Sequence, residues 1–401
     1  MNRRIFAAAL GLLGVGLAAG PLPARAASND EIVIGLATAQ SGFEVPYDTD
    51  GRRMAQLWID ETNAAGGIDG KKLRAVFADT KSDRTEGAKA GQAVLRDGAV
   101  VVVVTCDYDY GSPAALQAQR AGVISVSICA GDPKMGPLGV GNLAFSASNV
   151  AQAEGAALAQ FALETKKFTT GYVLLDDSIE YDKSLCAGYD WLFPLKGGKI
   201  VGRDTFKNAD PSIASQISRL SALMKTEKVE MIMFCSYSPG GPSAIRQLRA
   251  AGINLPIMTG VGMDGTFWLG AVPNLSEYYV AVQASIFPDP RASVEAVKAK
   301  FKAKYGAEPI NQHAYPIYAW FQLWAKAVAK TKTTEGKTVA AEMETYKKED
   351  TALGSRSFSK DLHIQATAPL VINQFTDGKG KATVVIEAPE VPRDVLYRLK
   401  K

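Results

Sequence analysis

Short apolar runs alternate along this chain with longer segments whose apolar positions recur every three or four residues. The runs at 32–36, 73–77, 100–105 and 123–128 predict strands. The third is apolar on both faces, which fits a parallel sheet covered by helices. Between these runs, Met54, Leu57 and Trp58 mark a helix that stops at Gly66-Gly67, and residues 85–96 and 114–121 predict two more. The alternation then restarts. Helices are expected at 151–163, 182–193, 243–251, 293–305 and 314–329, and strands at 170–175, from 200 onward, 231–234, 257–258 and 279–282. Ile213, Ile217, Leu220, Leu223 and Met224 form the cleanest amphipathic stripe. Repeated strand–helix units predict parallel sheets with helices on both faces, here roughly two sets of four or five units. The expected fold class is therefore α/β, with two doubly wound lobes. No Pro- or Ser-rich linker separates them, so the joins are short and a cleft is expected between the lobes.

Composition narrows the function classes. The chain has 401 residues, 47% apolar and 21% charged, which is ordinary globular usage and excludes a disordered or collagen-like chain. The net charge is +4, but Arg3, Arg4 and Arg25 fall in an acid-free N-terminal segment. The remainder is nearly neutral, which gives no electrostatic reason to bind nucleic acid or anionic membrane. Residues 1–26 combine Arg3-Arg4, an apolar run and an Ala24-Arg25-Ala26 end, the pattern of a secretory signal with cleavage expected after Ala26. The run falls short of the ~20 residues a spanning helix needs. Export permits disulfides. Cys106 and Cys129 each follow a predicted strand and would share a sheet edge if those strands are neighbours. Free buried thiols are at least as well expected for Cys106, Cys129, Cys186 and Cys235 in a chain this large.

In parallel α/β sheets the ligand groups follow the carboxyl ends of the strands. Tyr47, Tyr108, Tyr110, Tyr181 and Tyr237 all fall just past predicted strand ends. Tyrosine joins a rigid apolar face to a polar tip and suits a pocket for a small amphipathic molecule. Enzyme signals are poor. Gly260-Val261-Gly262-Met263-Asp264-Gly265 matches the dinucleotide fingerprint, yet no helix is expected at its third glycine. Asp107, Asp109 and Gly111 echo a calcium loop, but its twelfth position is Ala118 rather than a glutamate. His313, at a helix start, and His363, beside the strand-like 362–364, are expected to be structural or solvated. No Gly-x-Ser-x-Gly or His-Glu-x-x-His occurs, and no catalytic residue, cofactor or metal is expected.

One family shares these features in order and spacing. The carriers are Ile34-Gly35-Leu36 with Ser41-Gly42, Ile59-Asp60-Glu61-Thr62-Asn63-Ala64-Ala65-Gly66-Gly67-Ile68, and Asp79 with Asp83. Further carriers are Val123-Ile124-Ser125-Val126-Ser127, Asp177 with Tyr181, and Ile245-Arg246-Gln247-Leu248-Arg249-Ala250-Ala251-Gly252. Over nearly all of the chain beyond residue 26, the sequence resembles the periplasmic substrate-binding proteins of ABC importers, of the branched-chain amino acid type. The resemblance implies two lobes joined by three crossings near 146–149, 282–286 and 356–361. Residues 27–147 and 284–358 would form one lobe and 148–283 with 359–401 the other. It implies a monomer in the periplasm that closes on a small-molecule ligand and delivers it to membrane permease subunits.

Carried over by position, Tyr47, Tyr181 and Tyr237 match family tyrosines that cover the ligand. Asp264 falls near the acid that meets an amino group, and Ala130 and Gly131 fall where backbone donors hold a carboxylate. The departure is at the third strand, where Asp107-Tyr108-Asp109-Tyr110-Gly111-Ser112 replaces a serine- and threonine-rich run. Two carboxylates there repel a ligand carboxylate unless one points away or is neutral, although Tyr110 or Ser112 can donate a hydroxyl. Cys129-Ala130-Gly131 also lacks the usual threonine. A neutral polar solute, an amide, an amine and an aromatic acid stay open beside an amino acid. The family disulfide is broken as well: Cys106 matches one half, and Ser82 stands near the other. The alternatives are a ligand sensor on the same fold that reports to a signalling partner, and an exported α/β hydrolase acting through Asp107 and Asp109.

Overall fold

Four consecutive valines, Val101–Val104, sit at the middle of the first sheet with both faces covered, as β-branched side chains on a pleat favour. The computed structural model describes residues 31–387 and 389–399, so the expected signal peptide lies outside the described residues. The first lobe runs β1 (Glu31–Thr38), α1 (Val45–Ala64), β2 (Lys72–Asp79), α2 (Arg84–Arg96), β3 (Val101–Val104), α3 (Tyr108–Arg120), β4 (Ile124–Ser127) and β5 (Ala144–Ser146). Its sheet has the order β2-β1-β3-β4-β5, and every pair is parallel.

The chain then crosses into α4 (Ala151–Gln160), β6 (Thr170–Asp176), α5 (Glu180–Leu195), β7 (Lys199–Phe206), α6 (Ala214–Leu223), β8 (Met231–Cys235), α7 (Gly240–Ala250), β9 (Ile257–Thr259) and β10 (Tyr278–Val282). It returns through α8 (Ala292–Tyr305), α9 (Pro316–Thr331), α10 (Gly336–Met343) and the small hairpin β11 (Glu349–Thr351) and β12 (Gly354–Arg356). Residues of α8, α9 and α10 share a core with β1, β3 and β4, and the Trp58 and Phe321 rings stack at 4.6 Å there. The chain ends with β13 (Leu370–Thr376), β14 (Lys379–Ile386) and the short α11 (Arg393–Leu396). The second sheet has the order β14-β13-β10-β9-β8-β6-β7.

The three passages between the sheets are bonded to one another. Gln283 Nε2 donates to Ser148 Oγ at 2.7 Å, and Arg356 donates to Ala147 O at 2.8 Å and to Gln283 Oε1 at 3.2 Å. Val150 N donates to Gln365 O at 2.7 Å. Burial lowers the pKa of the enclosed Arg356 to about 9, with Arg291 adding to the shift.

Several local expectations are corrected. The β13–β14 hairpin went unmarked, and it pairs antiparallel to β10, so the second sheet is mixed at one edge. Its outer strand alternates exposed with half-buried residues and lacks the apolar run that marks a central strand. Residues 362–364 form no strand, and Leu362 makes only an isolated bridge with Ser359. The stripe on α6 buries Ile213 and Leu220 but leaves Met224 40% exposed. Helix α3 starts at Tyr108 rather than near 114, because the Asp107 carboxylate caps Tyr110 N at 2.8 Å and Pro113 is accommodated inside the helix. Free thiols give way to two disulfides, Cys106–Cys129 and Cys186–Cys235, with Cα–Cα distances of 4.7 and 5.9 Å. The first pair sits at the ends of β3 and β4, which are neighbours in the sheet.

Helices α4 and α5 approach closely through two glycines. A Cβ on Gly155 would meet the Leu185 carbonyl, and one on Gly188 would meet the Gln152 carbonyl. This contact sets Glu154 on α4 beside Tyr181 on α5, whose hydroxyl donates to it at 2.8 Å.

Candidate functional site

The carboxyl ends of both sheets face a common, partly open pocket with a cavity volume of about 30 Å³. From the first lobe come Glu44 and Tyr47 at the start of α1, Cys106 and Asp107 after β3, Cys129 after β4, and His313 just before α9. From the second come Ile179 and Tyr181 after β6, Tyr237 after β8, and Val261 and Gly262 after β9. The rule that ligand groups follow strand ends thus holds in both halves.

Hydrogen bonds across the cavity hold the halves together. The Tyr47 hydroxyl donates to Gly262 O at 2.9 Å and accepts from Ser238 N at 2.8 Å. Gln312 Nε2 lies 2.9 Å from His313 Nδ1, which places the ring proton on Nε2, 3.1 Å from Val261 O. Gln312 N donates to Asp264 Oδ2 at 2.8 Å, and Glu180 N to Asp109 Oδ2 at 2.8 Å. At the rim, Arg398 pairs with Asp132 and Glu180, and Ser184 Oγ donates to Asp132 Oδ2 at 2.7 Å. Partial burial alone would raise the Glu180 carboxyl, but Lys134, Lys183 and Arg398 together hold it down at about 2.

Buried acids ring the site. Asp48 accepts from Ala39 N at 2.6 Å and Cys106 N at 2.7 Å, and burial raises its pKa to about 6. Burial pushes the Glu154 carboxyl up to about 8 even though it accepts from Tyr181 Oη at 2.8 Å and Val261 N at 3.2 Å. Burial also holds Glu44 and Asp107 well above the usual carboxylate range, and Asp107 raises Glu44 further by like-charge repulsion. Asp182 lies behind them, fully buried, with neither oxygen hydrogen-bonded. The His313 imidazole is lowered to about 4 by burial and is neutral. Cys106, Cys129 and His313 offer donor atoms within 4.8 Å of one another, but both sulfurs are spent in the disulfide, so no metal-ligand set results.

Of the residues expected from sequence, Tyr47, Asp107, Cys129, Tyr181 and Tyr237 line the cavity. Seven do not. Tyr108, Asp109, Tyr110 and Ser112 belong to α3 and are not among the lining residues. Asp109 is held by Arg84 and Glu180 N, which removes it as a partner of Asp107 in acid–base chemistry. The Tyr110 ring packs edge-on against Phe43 at 5.1 Å, with the Arg84 guanidinium 5.2 Å from its centre. Ala130 N is not free to hold a carboxylate, since it donates to Ser127 Oγ at 3.0 Å. Gly131 lies against the Tyr181 ring, where a Cβ would come within 2.9 Å of it. Asp264 is tied to Gln312 N, and Glu154 takes the place beside Tyr181. Sequence reasoning missed Glu44, Cys106, Ile179, Val261, Gly262 and His313 as lining residues. The first five stand in strand-end segments where neighbouring residues were assigned to the site instead. His313 is brought in by the return of the chain from the second lobe, which no local pattern encodes.

The match to known proteins agrees with this arrangement. Residues 31–380 match the family model described as periplasmic binding protein. The chain belongs to the periplasmic binding protein family. Among its relatives in the family is a Leu/Ile/Val-binding protein of Rhizobium johnstonii, 27% identical over 363 residues, covering 89% of this chain and 94% of that one. Similar solved structures include the branched-chain amino acid transporter substrate-binding protein LivJ of Streptococcus pneumoniae in complex with isoleucine. Its TM-score is 0.78 at 24% identity, covering 89% of this chain and 99% of that chain. A solute-binding protein of an R. palustris ABC transporter, solved with 4-hydroxybenzoate, also gives 0.78, at 14% identity over 90% of this chain and 98% of its own. In this periplasmic binding protein no helix among the described residues is long and apolar enough to cross a membrane.

Proposed function

We propose that this chain is the solute-binding component of an ABC importer. It captures a small polar organic molecule between its lobes and hands it to a membrane permease, and it does no chemistry itself. The observation that carries this reading is the pocket itself, which lies between two sheet edges and is walled by residues from both lobes. Tyr47, Tyr181, Tyr237, Glu44 and Asp107 are assigned as ligand-contacting groups. Export through residues 1–26 would place the protein in the periplasm, where both disulfides are stable, and it would act as a monomer. The fold is shared by proteins solved with isoleucine and with 4-hydroxybenzoate, so solute class depends on this chain's own cavity.

Ligand drives closure only to the extent that it binds the closed state better. A thermal-shift screen with amino acids, amides, amines and aromatic acids tests the capture role, since a ligand specific to the folded state raises its melting point. For the solute found, Tyr181→Ala and Tyr237→Ala are each expected to weaken binding by ~10-fold or more, about 1.4 kcal/mol, while circular dichroism stays that of the parent. If both variants bind like the parent, the pocket assignment is wrong.

A further inference from the structure

We propose, resting on the capture reading above, that the solute is a small organic cation: an ammonium group on an apolar stem, with no carboxylate. The cavity is lined by two acids, Glu44 and Asp107, and by no lysine or arginine. Asp107 is 7% exposed; its Oδ1 accepts from Tyr110 N, and its buried Oδ2 has no hydrogen-bond partner. The Glu44 carboxylate makes no hydrogen bond among the described residues, although the residue is 2% exposed. Buried carboxylate oxygens without donors are costly unless something supplies the missing positive charge.

The groups that would hold a carboxylate are already used. Cys106 N donates to Asp48 Oδ1 at 2.7 Å, and Cys129 N and Ala130 N both donate to Ser127 Oγ. The N-terminus of α3, which favours an anion, is capped by the chain's own Asp107. The hydroxyl protons of Tyr47 and Tyr181 go to Gly262 O and Glu154. Among the lining hydroxyls that leaves Tyr237 as the single unspent neutral donor, set against two carboxylates. The three lining tyrosines supply aromatic surface of the kind that attracts a cation and packs against an apolar stem.

The wider charge field points the same way. Asp109, Asp48 and Asp182 stand behind Glu44 and Asp107. The neighbouring cations are engaged elsewhere: Arg84 pairs with Asp109, Arg52 donates to Ala39 O, and Lys183 pairs with Glu180. His313 is neutral, and the phenols of Tyr47, Tyr110, Tyr181 and Tyr237 are raised by burial and stay protonated. Burial raises the Glu44 and Asp107 carboxyls well above the usual range, with Asp107 adding to the rise of Glu44 and Asp109 to that of Asp107, so both favour the protonated form when no cation is present. A cation entering there displaces a proton, so its affinity rises with pH. A carboxylate would need the protonated acids as donors, and its affinity would fall with pH.

Calorimetric titration of the purified chain separates these cases. The probes are isoamylamine, isovalerate, isoamyl alcohol and leucine, together with benzylamine and benzoate, at pH 5.5 and 7.5 in buffers of different ionisation enthalpy. The amines are expected to bind at least tenfold tighter than the matched acids, to gain at least threefold in affinity at the higher pH, and to release protons on binding. Asp107→Asn and Glu44→Gln keep shape and remove charge, and each is expected to weaken amine binding at least tenfold. The parent's pH dependence and proton release stand even if a variant fails to fold. Tighter binding of an acid, leucine or the alcohol, or affinity that falls with pH, overturns the cation class and leaves solute capture intact. No binding by any probe overturns the cation class, and the broader thermal-shift screen then decides the capture reading separately.

Discussion

The hydroxyl of Tyr47 reaches from the first lobe to two backbone groups of the second, so Tyr47→Phe removes contacts that belong to the closed molecule. The hydroxyl donates to Gly262 O at 2.9 Å and accepts from Ser238 N at 2.8 Å. A net hydrogen bond is worth about 1 kcal/mol, so the pair contributes about 2 kcal/mol to closure. In an opened molecule water solvates the same groups, and the substitution leaves that state unchanged. Phenylalanine keeps the ring, and with it the contacts to Phe267 at 5.7 Å and His313 at 5.5 Å. A loss of 2 kcal/mol lowers the closing equilibrium roughly 30-fold, and apparent affinity falls with it when binding requires closure. Titration of the solute identified by thermal shift gives the affinity, and small-angle scattering with saturating solute reports the compact form. The expectation is a 10- to 50-fold weaker Kd with an unchanged melting temperature of the solute-free protein. A Kd within threefold of the parent refutes the idea that these two bonds form on closure.

Two further outcomes concern the second lobe. Glu154 titrates at about 8 in the folded chain against an ordinary 4.5, so the folded state binds more protons than the unfolded between those values, and stability falls as pH rises through that window. Urea unfolding at pH 6.5 and 8 should show that fall in the parent and a smaller one in Glu154→Gln; an identical pH dependence in both would remove Glu154 as its source. Gly188→Ala places a methyl group against the Gln152 carbonyl of α4 and should cost about 2 kcal/mol or more by forcing the helices apart. Urea unfolding measures it, and a stabilised variant would show that the helices move at little cost.

The α/β alternation was legible because buried parallel strands are written as local apolar runs. The valines of 101–104 and the apolar spacing of 151–160 needed no partner to declare themselves. The strand-end rule then singled out Tyr47, Asp107, Cys129, Tyr181 and Tyr237, since chain order alone puts those residues at carboxyl ends. Tertiary structure decided the rest. It took Tyr110 and Asp109 into a helix by starting α3 at an Asp107 cap, several residues before the expected start at 114. It joined Cys186 to Cys235 across 49 residues of sequence, and it brought His313 to the cavity from a segment that returns to the first lobe after the chain has passed through β6–β10 of the second. Local periodicity records which face of an element is buried. That Glu44 and Asp107 share one cavity with no counter-charge depends on how β3 lies beside the start of α1 and on which second-lobe residues close over them, and no window of neighbouring residues contains that information.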